Sequence, residues 1–154
     1  VMAAARAAAQ GLALGQVVSE ARGMIGKAHV YFIVDTFEYL YRGGRIGAVS
    51  RLLGSALNIK PVLEIADGVA KPAGQVRTRR KALARVVELL EREAAQGGQA
   101  HMAVINVAAA AEAQDFRRQL EERFQPVEMF STDCSPVLGA HVGPGTVGVA
   151  YYFE

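Results

Sequence analysis

Asp67-Gly68 is the pair that most restricts what this chain can fold into. Short strand-like runs flank it directly, residues 62–65 before and residues 69–76 after. A two-residue Asp-Gly connection between such runs closes a β-hairpin, because its turn needs positive φ, which Gly adopts freely and Asp tolerates. An antiparallel pair here excludes an all-parallel sheet. Pro61 favours an extended entry into the first strand. Pro72 cannot donate to a ladder, which limits the return strand to an edge or a break.

Helical and strand patterns alternate around the hairpin. Residues 2–22 read as one helix, with Leu14, Val17, Val18, Ala21 and Ile25 at helical spacing and Gly11 and Gly15 weakening it. Residues 29–34 are a β-branched and aromatic run, read as a strand. Asp35-Thr36 caps a short helix through Tyr41 that stops at Gly43-Gly44. Residues 47–57 are expected to be helical, with Val49, Leu52, Leu53 and Leu57 on one face. The clearest helix spans residues 77–95: Leu83, Val86, Val87 and Leu90 share a stripe, and Gly97-Gly98 ends it. Residues 102–107 read as a buried strand, residues 108–124 as a helix and residues 127–131 as a strand. Residues 136–140 and 147–153 read as a closing pair of strands joined by the turn His141-Val142-Gly143-Pro144-Gly145-Thr146. The fold class expected is α+β, a mainly antiparallel or mixed sheet with helices packed on it. At 154 residues the chain is long enough for one domain with a substantial core.

Charge narrows the function classes. Net charge is +2, unevenly spread: from Arg42 to Arg85 there are ten basic residues against two acids, and elsewhere seven against thirteen. A basic stretch suggests either an anionic partner or a solvated face balanced by acids nearby in the fold. Cys134 is the single cysteine, so no intrachain disulfide forms and a reducing compartment fits. The Ala-rich start, broken by Arg6 and Gln10, reads as a surface helix of a longer protein rather than a signal peptide. No run approaches the roughly 20 apolar residues of a membrane span.

Candidate chemistry is sparse. His29, His101 and His141 have no metal-ligand spacing, and no HExxH, CxxC, GxSxG or phosphate-loop motif occurs. His29 and His101 begin strands and read as structural. Ser50, Ser131 and Ser135 assemble no triad. What remains is the turn after His141. An imidazole beside glycine amides can hold a carboxylate or phosphate, with the glycines allowing close approach and His⁺ adding charge. The competing reading is a Gly/Pro connection with an incidental histidine.

Seven blocks taken together resemble the DegV family. They are Asp35-Thr36-Phe37-Glu38-Tyr39-Leu40, Gly43-Gly44-Arg45-Ile46, Leu53-Gly54, Asn58-Ile59-Lys60-Pro61-Val62-Leu63, Asp67-Gly68, Arg77-Thr78-Arg79-Arg80-Lys81-Ala82 and His141-Val142-Gly143-Pro144-Gly145. The resemblance implies a cytoplasmic, bacterial, non-enzymatic protein of two domains. It binds a long-chain fatty acid and presents it to a fatty-acid kinase for phospholipid synthesis, with no cofactor or metal. Residues 1–26 would then be a helix connecting from an N-terminal domain, and residues 27–154 the C-terminal lipid-binding domain. The family's carboxylate-binding Thr and Ser loops belong to that first domain. The ligand-binding residues implied here are His141, Gly143 and Gly145. Arg45 and Arg77 are implied at the domain interface or facing the kinase. The apolar wall facing the first domain would be exposed in this chain alone and favour a homodimer. Two other readings stand beside this one. One is a dihydroxyacetone-kinase-like substrate subunit using His141 covalently; the other is a nucleic-acid or anionic-surface binder through the Arg42 to Arg85 stretch.

Overall fold

Asp67 and Gly68 adopt φ of 54° and 75°, the left-handed pair a two-residue turn between twisted strands requires. The computed structural model describes residues 1–52 and 59–154. Its elements in chain order are α1 (Met2–Ala9), α2 (Leu14–Gly23), β1 (His29–Ile33), α3 (Glu38–Arg42), a 3-10 helix (Gly47–Leu52), β2 (Lys60–Ala66), β3 (Val69–Val76), α4 (Arg79–Ala94), β4 (Ala100–Val107), α5 (Ala110–Phe124), β5 (Glu128–Asp133), α6 (Pro136–Val142) and β6 (Thr146–Phe153).

The strands form one six-stranded mixed sheet in the order β3-β2-β1-β6-β4-β5. Every pair is antiparallel except β4 with β5, which α5 connects as a parallel crossover. The expected mixed α+β architecture is the one that forms. Pro72 lies in the edge strand β3, beside a register break where Val62 faces Gly74 and Leu63 faces Pro72.

Alternation along each strand gives the sheet two apolar faces. Tyr31, Ile33, Val62, Val147 and Val149 point to the side covered by α4 and α5. There they meet Val86 and Leu90 of α4 and Phe116 and Leu120 of α5. Thr78 caps α4, its hydroxyl accepting from Lys81 N–H at 3.2 Å. Phe32, Val34 and Leu63 point the other way and form a smaller core with Leu40, Val49 and Val142. The helical side is thus a full core, and the opposite side is covered more thinly.

Three expectations need correction. Residues 136–140 are the first turns of α6, not a strand; Ser135 accepts from Leu138 N–H at 3.3 Å and Pro136 occupies the first turn, a start signal that outranks the apolar run. The turn after His141 therefore joins a helix to a strand and closes no hairpin. Residues 2–22 are two helices, because Gly11 turns left-handed at φ 77° after the Gln10 cap. Of residues 47–57, the described part is the 3-10 helix, with Val49 buried; Leu53 and Leu57 lie outside the described residues.

Candidate functional site

α6 delivers His141 in its last turn, and the turn that follows is held through Gly143, Gly145 and Thr146. Gly143 ends the helix at φ 80°, its N–H donating to Gly139 C=O at 2.8 Å. A Cβ at Gly143 would lie 2.3 Å from Tyr39 Cδ2, so the Tyr39 ring packs directly on the bare backbone. Gly145 N–H donates to Val107 C=O at 2.8 Å. The buried Thr146 hydroxyl donates in bifurcated fashion to Val142 C=O (3.1 Å) and Gly143 C=O (2.9 Å). A cradle of free glycine amides, expected at Gly143 and Gly145, does not form. Both amides are already bonded to carbonyls within the chain, and Pro144 has none. The glycines shape the turn, and their amides are spent on backbone carbonyls.

The His141 imidazole is half-buried, and its Nδ1 is fully enclosed without a hydrogen-bond partner among the described residues. It rests on Gly43, where a Cβ would lie 2.3 Å from Nδ1. Its ring faces a cavity of about 610 Å³ between the thin side of the sheet and α6. Phe32, Leu40, Ile65, Val69, Leu138 and Val142 give that lining an apolar character. Arg45 lines the same cavity, and its guanidinium donates to Gly43 C=O at 3.0 Å. The fold thus brings the Gly43-Gly44-Arg45 block against His141. Arg77 is not part of this cavity; it is exposed in the bend between β3 and α4.

An ion cluster that residue-by-residue reading missed lies on the other side of the turn. Arg79 chelates Glu112, with Nε 2.8 and 2.7 Å from the two carboxylate oxygens, and also donates to Gly145 C=O. Lys60 Nζ bonds both Asp35 Oδ1 and Asp35 C=O at 3.0 Å. The hydrogen bond from Lys60, helped by its charge and that of Arg79, holds the Asp35 carboxyl below its usual range. A Cβ at Gly145 would approach Asp35 Cβ to 3.1 Å. Four of the sequence blocks therefore meet at one end of the sheet. Only their co-occurrence signalled it, since Asp35–Lys60 and Arg79–Glu112 are pairs distant in sequence.

The fold pairs part of the basic stretch with acids. Arg42 pairs with Glu38, Lys60 with Asp35, Lys71 with Asp67, Arg79 with Glu112 and Arg85 with Glu88. Among the described residues, these five spend their charge this way. These pairs match the balanced-face reading and interrupt the continuous cationic track a nucleic acid needs.

Comparison with known proteins places the chain. The family described as uncharacterised proteins of the DegV family matches residues 1–154. A DegV domain-containing protein of Clostridium acetobutylicum is 35% identical over 153 residues, covering 99% of this chain and 53% of that protein. Protein DegV of Bacillus subtilis is 33% identical over 138 residues, covering 90% of this chain and 49% of that protein. The chain spans about half the length of these curated relatives. Among solved structures, a DegV family protein from Thermus thermophilus, described for its fatty acid binding, has a TM-score of 0.91 at 28% identity, over 98% of this chain and 54% of that one. DegV of Bacillus subtilis, described as a fatty acid binding protein, has a TM-score of 0.83 at 31% identity, over 99% and 54%. The match of the family along the whole chain, with relatives that share its fold from end to end, establishes that this chain belongs to the DegV family.

Proposed function

We propose that this chain forms one wall of a long-chain fatty-acid site, with His141 and Arg45 at the carboxylate and the apolar cavity around the tail. The observation that carries the reading is the lining itself. His141 and Arg45 are the titratable groups on an otherwise mostly apolar surface, and the cavity of about 610 Å³ is of ligand size. An imidazole N–H and a guanidinium suit a carboxylate, and each buried CH₂ of a tail adds about 0.8 kcal/mol. The fatty acid binding described for the related structures supports the same ligand class.

The remaining carboxylate contacts and the opposite wall belong, in this proposal, to a second domain supplied by the rest of a relative-length protein. The protein binds and presents its ligand rather than transforming it, and hands the carboxylate to a fatty-acid kinase in the cytoplasm. Covalent catalysis by His141 finds no support: no base hydrogen-bonds the ring among the described residues. No helix among the described residues is long and apolar enough to cross a membrane.

The test is direct. Full-length protein, stripped of lipid, is titrated with palmitate, with His141→Ala and Arg45→Ala in parallel. Saturable uptake weakened in both variants is expected, as is acyl-phosphate formation by a fatty-acid kinase only when the loaded protein is present. Absence of palmitate uptake by the stripped wild type would sink the reading.

A further inference from the structure

Gly43 has backbone angles open to any residue, φ −77° and ψ −1°. Its surroundings are what exclude a side chain. A Cβ there would lie 2.3 Å from His141 Nδ1 and 3.3 Å from His141 Cε1. The next nearest atom, Tyr39 O at 3.0 Å, needs a shift of only a few tenths of an ångström. Gly44 is the reverse case: its φ of 68° demands glycine, yet a Cβ would meet open space. Of the two adjacent glycines, one serves the backbone and the other serves the imidazole.

We propose that Gly43 is the positioning residue of the head-group site, seating the His141 ring on its bare Cα while its carbonyl anchors the Arg45 guanidinium. This rests on the reading of His141 as a carboxylate contact. The seat encloses Nδ1, which has no hydrogen-bond partner among the described residues. With Nδ1 shut away, Nε2 is the nitrogen of this ring that can meet a ligand, and it donates when it carries the ring proton. One glycine thereby sets the direction of the imidazole donor and the place of the cation beside it. A methyl group at this position would push the ring off its seat and break their common aim at one carboxylate.

The experiment is a double-mutant cycle in full-length protein, read by displacement of cis-parinaric acid with palmitate and by thermal midpoint. Gly43→Ala is expected to weaken palmitate binding roughly 10- to 100-fold, the loss of one hydrogen bond to a charged group. His141→Ala is expected to do about the same, and Gly43→Ala/His141→Ala to bind no worse than His141→Ala alone. Gly43→Ala should lower the thermal midpoint, and His141→Ala should restore it by removing the clashing ring. Wild-type affinity in Gly43→Ala overturns the inference, as do losses that multiply in the double variant. If Gly43→Ala fails to fold, a double variant that also fails overturns it, because the imidazole is then not what the methyl meets. Normal binding by His141→Ala removes the carboxylate reading and the inference together; loss in His141→Ala with none in Gly43→Ala removes the inference alone.

Discussion

Gly143 is a position where backbone and packing make the same demand. Its φ of 80° disfavours any side chain, and the Tyr39 ring occupies the space a Cβ would take. Gly143→Ala is expected to cost about 2–4 kcal/mol from backbone strain and displacement of the ring. Chemical denaturation measures it, and a loss under about 1 kcal/mol would mean that Tyr39 moves aside freely. A second residue-scale prediction concerns the paired phenols on the helical face. Tyr31 and Tyr151 both donate to Glu93 Oε1, at 2.8 and 2.7 Å. Burial first, then the bond to Glu93, pushes the Tyr31 hydroxyl up to about 12 from 10.0. The same causes, in the same order, raise Tyr151. A raised acid favours the folded state while it stays protonated, so this contribution is complete below pH 10.0 and fades as pH rises through about 12. Ultraviolet titration should show the Tyr31 phenol ionising near pH 12, and its ionisation near pH 10.0 would refute it. His141 was legible because its turn is unusual within a few residues. The Asp35, Lys60, Arg79 and Glu112 cluster was not, because an ion pair between distant positions leaves no local pattern.

Among the elements, the long periodic segments were legible and the short apolar ones were not. α4 and α5 follow from stripes several turns long, and the Asp67-Gly68 hairpin follows from turn stereochemistry. Residues 136–140 pass for a strand because five mainly apolar residues fit either periodicity, while Ser135-Pro136 carries a helix start. The parallel β4–β5 pair was hidden in plain spacing: a strand, a 15-residue helix and a strand are the components of a right-handed crossover. Since α6 aims His141, its cap bears on the site. Ser135→Ala is expected to destabilise the protein by about 0.5–2 kcal/mol, with Ser135→Asp close to wild type. Denaturation of both variants checks this, and equal losses in the two would show that the hydroxyl is not capping.

At the scale of the molecule, the sheet is covered unevenly, and that asymmetry was foreseeable only through the family resemblance. One face carries two full helices; the other leaves an apolar rim around the His141 cavity. Val137 is 74% exposed, Val69 51%, Leu138 44% and Ile65 42%, and all four line that cavity. Scattered apolar residues on a surface need no explanation, but a contiguous set around a concave site marks a surface that associates. A chain of these 154 residues alone is expected to dimerise through this rim and to bind an apolar dye. Light scattering across a concentration series measures the first, and dye fluorescence the second. Val69→Lys/Val137→Lys places two charges on the rim without touching a buried side chain, and should give a monomer of unchanged thermal midpoint. In a protein of the relatives' length, the proposed second domain covers the same surface, so both dye binding and association should fall there. A clean monomer with little dye bound, from the 154-residue chain at high concentration, would show that the rim is too broken by its charged edge, Arg45 included, to act as an interface.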